Sequence, residues 1–176
     1  MNNNVRKMAV SGIVAAMYAA LTMALAPISY GPIQFRVSEV LCILPFFLPY
    51  TAVGLFVGCM AANLLSTMGV FDIVFGSLAT LGAALCTAHF GKTKVPGLWP
   101  RRILACLMPV LWNAVIIGAM IAILDPATEN FLRDFTVFGL EVGAGELGVM
   151  FLLGLPLMYY LPKLPAFQAL IEKYKF

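Results

Sequence analysis

Six apolar stretches, at about 8–27, 38–48, 50–68, 71–90, 101–123 and 137–161, leave too little polar sequence to cover a water-soluble fold. Backbone in hydrocarbon must satisfy its own N–H and C=O groups, so such runs are read as helices. The chain is therefore expected to be an all-α integral membrane protein of six transmembrane helices, with 1–176 as one membrane domain. Only 11% of its residues are charged and its mean hydropathy is +0.96, whereas a soluble domain carries about 25% charged residues. Greasy sequence continues almost to Phe176, so the first run reads as a retained helix rather than a cleaved leader.

The distribution of cations sets the expected orientation. With the N-terminus inside, Arg6, Lys7, Lys92, Lys94, Arg101, Arg102, Lys163, Lys173 and Lys175 all become cytoplasmic, nine of the eleven Lys and Arg residues. An even number of spans keeps the C-terminal cluster on that side, and only Arg36 and Arg133 fall outside. No basic face interleaved with aromatics is present, so nucleic acid is not an expected partner. The connection LDPATENFLRDFT, 124–136, reads as an external, mobile loop.

Chain breakers give the second segment its character. Pro45 and Pro49, in LPFFLPY, separate it from the third, and it is too short for an ordinary spanning helix. It is either tilted and shielded by neighbours or partly unwound along a cavity. Just ahead of it lie Gln34, Arg36 and Glu39. Under the same topology Asn63, Asp72, Glu141 and Glu146 also map to the outer side or outer half of the membrane. Ionised groups at such depths are costly unless paired or facing a polar cavity. Helix-terminal capping accounts in part for Asp72 and Glu141. It does not account for Glu146, inside a span within GAGELG, or for Asn63 within AANLL. A shared outward-facing ligand pocket is the reading that covers all of them.

Catalytic and cofactor signatures do not emerge. There is no Gly-rich nucleotide loop, HExxH or strand-flanked nucleophile. Glu141 and Glu146 are five residues apart, a rotation of about 140° on a straight helix, so they do not form a paired acid and base on one face. Cys42, Cys59, Cys86 and Cys106 lie in apolar sequence without CxxC spacing and read as small buried hydrophobes; His89 reads as a helix cap. No metal and no cofactor is expected. Gly12, Ala16, Ala20 and Ala24, with Ser11, Ala15 and Ala19 on the adjacent stripe, form a face that admits close approach by another helix, either internal or from a partner subunit.

The runs GPIQFRVSEVLCILPFF, GLFVGCMAANL and FDIVFGSLATLGAAL, with Trp112 and Asn113 in the fifth helix, resemble the QueT family of queuosine-precursor transporters over roughly 10–160. The resemblance implies a six-helix substrate-binding S component of an energy-coupling factor transporter in a bacterial or archaeal cell membrane, both termini cytoplasmic. It implies as partners a membrane T component, met through Ala15 and Ala19 or through Ala16 and Ala20, and two cytosolic ATPases. The implied ligand is a 7-deazaguanine base: the 7-cyano form, the aminomethyl form or queuine. Glu39 or Glu146 would accept its paired N–H and amine, while Asn63, Asn113 and Gln34 read the carbonyl and ring nitrogens. Trp112 or Phe35 would stack on the ring, and Asp72 or Glu141 would suit an ammonium. Arg36 would hold Glu39 or another outer acid, or contact the base carbonyl. Alternatives are an S component for another small vitamin or nucleobase, a small membrane enzyme using Glu39, Asp72 and Arg36 at the outer interface, and a structural subunit whose polar residues only pair with one another.

Overall fold

The computed structural model of the chain describes residues 3–30 and 35–174, and among these there are helices and no strands. The α-helices are α1 (Asn3–Ala24), α2 (Ala26–Ser29), α3 (Thr51–Asn63), α4 (Ser77–Lys92), α5 (Leu98–Leu124), α6 (Phe131–Val149), α7 (Leu155–Tyr160) and α8 (Pro165–Tyr174). A 3₁₀ helix, Val37–Phe46, precedes α3, and a second, Leu161–Lys163, follows α7. One π-turn, Asp72–Gly76, leads into α4, and another, Met150–Gly154, joins α6 to α7.

Four of these continuous helical segments are long and apolar enough to cross a bilayer: Asn3–Ala24, Asp72–Lys92, Leu98–Leu124 and Phe131–Lys163. The other two apolar helices, Val37–Phe46 and Thr51–Asn63, are shorter. Each extends only about 20 Å, against about 30 Å of hydrocarbon. Two expected boundaries shift for local reasons. The third segment ends at Asn63 rather than 68 because the chain turns through Ser66, whose hydroxyl accepts from Met68 N at 3.2 Å, to Gly69 at φ +60°. The last begins at Phe131, since the Asn130 side chain caps it by accepting from Arg133 N at 3.2 Å. The expected loop 124–136 thus shrinks to a turn around Asp125, whose carboxylate accepts from Ala127 N at 2.9 Å.

The molecule is apolar outside and buries several polar and charged groups within. Ile13, Val53, Leu111, Leu140 and Leu152 are each more than half exposed, while Arg36, Glu39, Asn63, Asp72 and Glu146 are at most 2% exposed. Lipid is the solvent that makes such an outer surface stable.

Small residues bring α1 and α3 together. A Cβ on Gly58 would lie 2.6 Å from the Ala15 carbonyl oxygen, and one on Gly54 would strike Ser11 backbone. Ser11 Oγ also donates to Tyr50 O at 2.9 Å. Ser11 and Ala15 pack their backbone on α3 while staying half-buried, Ala19 is half-buried, and Gly12, Ala16 and Ala20 face outward. Gly58→Val is expected to destabilise the fold by roughly 1–3 kcal/mol or more, because backbone is what must move. Gly12→Ala meets no atom within 4 Å and should be neutral or stabilising by up to about 1 kcal/mol. Thermal unfolding of the two variants in one detergent checks this; equal shifts would refute the packing account.

Candidate functional site

The site starts with the helix type of Val37–Phe46. Pro45 has no N–H to donate, and the segment winds with three residues per turn, a geometry that rarely persists for ten residues. At that period side chains three apart stand in one row, so Glu39 and Cys42 line up along it, with Arg36 just ahead of the first turn. The Cys42 thiol donates to Glu39 Oε2 at 3.0 Å within this row. The segment is buried on nearly every side, between α1, α3, α4 and the turn after α6.

Neighbouring helices then furnish partners for the row. Tyr18 of α1 donates its hydroxyl to Glu39 Oε1, and Thr80 of α4 donates to the same oxygen at 2.9 Å. One turn beyond Tyr18, Thr22 shares a 2.6 Å hydrogen bond with Ser38 and donates to Tyr18 O at 2.9 Å. The Glu39 carboxylate is thus held by two hydroxyls and a thiol from within the chain. Charge-assisted bonds of this kind are about twice as strong as neutral ones.

Arg36 faces the other way along the same end of the bundle. Its Nη2 lies 3.7 Å from Asp72 Oδ2, its Nη1 lies 3.9 Å from Cys59 Sγ, and its guanidinium sits 5.8 Å from the Tyr30 ring centroid. The Tyr30 hydroxyl in turn donates to Ala62 O at 2.6 Å. Asp72 is set by the π-turn. Asn63 Nδ2 donates to the Asp72 carbonyl at 2.8 Å and lies 3.4 Å from Cys59 Sγ. Only glycine fits at position 76, since a Cβ there would lie 2.6 Å from Asn63 Nδ2 and 2.7 Å from Asp72 Oδ1.

The third wall comes from α5 and α6. Asn113 Nδ2 lies 3.3 Å from Glu146 Oε1. Glu146 is within electrostatic range of Glu39 and Arg36. Two residues further on, Gly148 receives the Phe35 ring, whose nearest carbon is 3.1 Å from where a Cβ would stand.

The structure therefore brings Arg36, Glu39, Asn63, Asp72, Asn113 and Glu146 to one buried region, with Phe35 half-buried next to Arg36 and against Gly148. It does not bring Trp112 there: that ring lies flat on Gly82 of α4 and lines an outward apolar groove with Leu111, Val115 and Ile116. Glu141 is half-buried on α6 and makes no hydrogen bond to another described residue. Gln34 lies outside the described residues.

Tyr18, Thr22, Tyr30, Ser38, Ser77 and Thr80 are not among the site residues expected from sequence, and the thiols of Cys42 and Cys59 serve here as polar groups and not only as small hydrophobes. A spacing of four was the available signal. It places Val14, Tyr18 and Thr22 on the inner face of α1 and Cys59 below Asn63 on α3.

Several buried polar atoms in this region have no hydrogen-bond partner among the described residues: Arg36 Nε and Nη2, Asn63 Oδ1, Asp72 Oδ1, Ser77 Oγ and Glu146 Oε2. Each such atom costs about 1–3 kcal/mol when left unsatisfied. Together they are two donors on one guanidinium, three acceptors and a hydroxyl able to do either, an array complementary to a small molecule with both N–H groups and a carbonyl.

Over 71 residues the chain is 51% identical to the queuosine precursor transporter QueT of Lactococcus lactis subsp. cremoris (strain MG1363). That alignment spans 39% of this chain and 41% of the relative. No solved structure matches the chain significantly. The sequence profile described as QueT transporter matches residues 8–163, nearly the whole helical bundle, and on that ground the chain belongs to the QueT transporter family.

Proposed function

We propose that this chain is the membrane-embedded capture subunit for a queuosine precursor, a 7-deazaguanine base, and that separate ATPase subunits coupled through a membrane T component energise its uptake. In this reading the four long helices and the two short apolar ones make six passes in a bacterial or archaeal cell membrane. The basic end, with both termini, faces the cytoplasm, and the Arg36 end faces outward. The two short helices are tolerable as passes because Val37–Phe46 is shielded by other helices.

The observation that carries the proposal is the set of orphaned polar atoms between Arg36, Asn63, Asp72 and Glu146. A guanine-like edge presents a ring N–H beside an exocyclic amine, which carboxylate oxygens accept as a pair. Asp72 Oδ1, Asn63 Oδ1 and Glu146 Oε2 are the free acceptors, and Arg36 has donors left for the base carbonyl. Phe35, which adjoins Arg36 in the chain, supplies a flat apolar surface. Glu39 suits a supporting role, since its Oε1 is already engaged twice. Three carboxyl groups share the region with one guanidinium, an excess of acceptors that favours the aminomethyl ligand, itself a donor and a cation, over the neutral nitrile.

Titration calorimetry of the purified chain with 7-cyano-7-deazaguanine, its aminomethyl form, queuine and guanine tests this. The aminomethyl form should bind most tightly and guanine far more weakly. Guanine binding as well as any deazaguanine, or no binding by the chain alone or in its transport complex, would overturn the assignment.

A further inference from the structure

The opposite end of the bundle holds a second cluster that the capture site does not use. Arg102, on the second turn of α5, is only 7% exposed, and its Nε is buried with no partner among the described residues. Its guanidinium lies 5.7 Å from the Trp99 ring centroid; Trp99 stacks on Tyr159 at 5.7 Å and 20°; and Lys163 Nζ sits 3.4 Å from the Tyr159 centroid. No carboxylate lies within ion-pair distance of Arg102 or Lys163 among the described residues. The nearby start of α5 follows Gly97, which offers no side-chain cap, so first-turn N–H groups add partial positive charge.

We propose that Arg102, Lys163 and the start of α5 form a binding site for the phosphodiester headgroup of an anionic phospholipid. One further cation and a helix N-terminus beside a buried guanidinium whose Nε has no hydrogen-bond partner among the described residues define an anion site. Its surroundings identify the bearer of the anion. Leu98, Trp99, Ile103, Leu157, Tyr160 and Leu164 around the cluster are all exposed apolar or aromatic side chains, a surface suited to hydrocarbon next to the phosphate. Arg102 lies about 6 Å below the start of α5, near the headgroup boundary at that helix end. An acidic protein surface would satisfy the charges but would leave the apolar rim without a reason. Basic crevices between membrane helices are established recognition elements for anionic headgroups.

The test is native mass spectrometry, with thermal unfolding, of the full chain in nanodiscs of phosphatidylcholine with and without phosphatidylglycerol. Wild type should retain phosphatidylglycerol and unfold at higher temperature in its presence. Arg102→Gln and Lys163→Gln should each reduce retention about fivefold. Lys163 is exposed, so its variant keeps the test decisive if Arg102→Gln does not fold. Millimolar inorganic phosphate in pure phosphatidylcholine should give no stabilisation; stabilisation equal to that of the lipid would mean a free-phosphate site and overturn the lipid assignment. Undiminished lipid retention in both variants would overturn the site, leaving only the general field of the basic end. No response of wild type to phosphatidylglycerol would overturn it too, and would leave these cations to an acidic partner protein.

Discussion

Arg36→Met should abolish ligand binding and lower stability by about 3–5 kcal/mol, the usual cost of removing one member of a buried ion pair. Asp72 is 1% exposed and its Oδ2 has Arg36 at 3.7 Å, so without the guanidinium a carboxylate is stranded among apolar helices. Hydrophobic replacement of both members often restores stability or improves it. Arg36→Met combined with Asp72→Leu is therefore expected to regain most of the lost stability while remaining unable to bind. The pair of variants separates the two roles of the ion pair. Denaturant or thermal unfolding reads the first and calorimetric titration the second. A single variant as stable as wild type would show that the two groups do not depend on each other, and a double variant that still binds would remove both from the ligand site.

Glu39 and Glu146 should respond to the same amide substitution in opposite ways. Glu146 keeps one oxygen free, so Glu146→Gln is expected to weaken deazaguanine binding by about 10- to 150-fold, the equivalent of roughly 1.5–3 kcal/mol for a charged hydrogen bond. Its stability should hold or rise, because a buried carboxyl with an unpartnered oxygen is an expense to the fold. Glu39→Gln instead replaces the acceptor of Tyr18, Thr80 and Cys42 with a neutral amide whose NH₂ cannot receive the thiol proton. A loss of about 1–3 kcal/mol in stability should dominate there. Equal losses of affinity with unchanged melting temperatures would mean that both acids contact ligand and that the division of labour drawn above is wrong.

The sequence disclosed the architecture through one signal and the site through another. Hydropathy located the long helices because each must hide some twenty residues of backbone from water, and the limits at Asn63 and Phe131 escaped it because caps and turns act over three or four residues. Charge in an apolar context pointed to Arg36, Glu39, Asp72 and Glu146, since no bilayer tolerates such groups idly. Tyr18 and Thr80 carry no charge and pass for ordinary packing until a partner is seen. Trp112 illustrates the converse. It adjoins Asn113 in sequence, but one residue on a helix is about 100° of rotation, enough to turn the indole to Gly82 while the amide meets Glu146. Chain position could not predict that division, because it depends on how α4 and α6 lie about α5.

Glu39 and Cys42 stand in line only while the backbone of Val37–Phe46 keeps three residues per turn. Rewound as an α-helix, the ten residues Val37–Phe46 would shorten by about 5 Å. Every third side chain would swing about 60° from its predecessor, taking the Cys42 thiol off Glu39 and Glu39 out from beneath Tyr18 and Thr80. Segment length and site chemistry are in this sense geared together. A pull along the segment would therefore loosen the hydrogen bonds that hold Glu39, and the hydroxyls and thiol that hold Glu39 also hold the segment to its length.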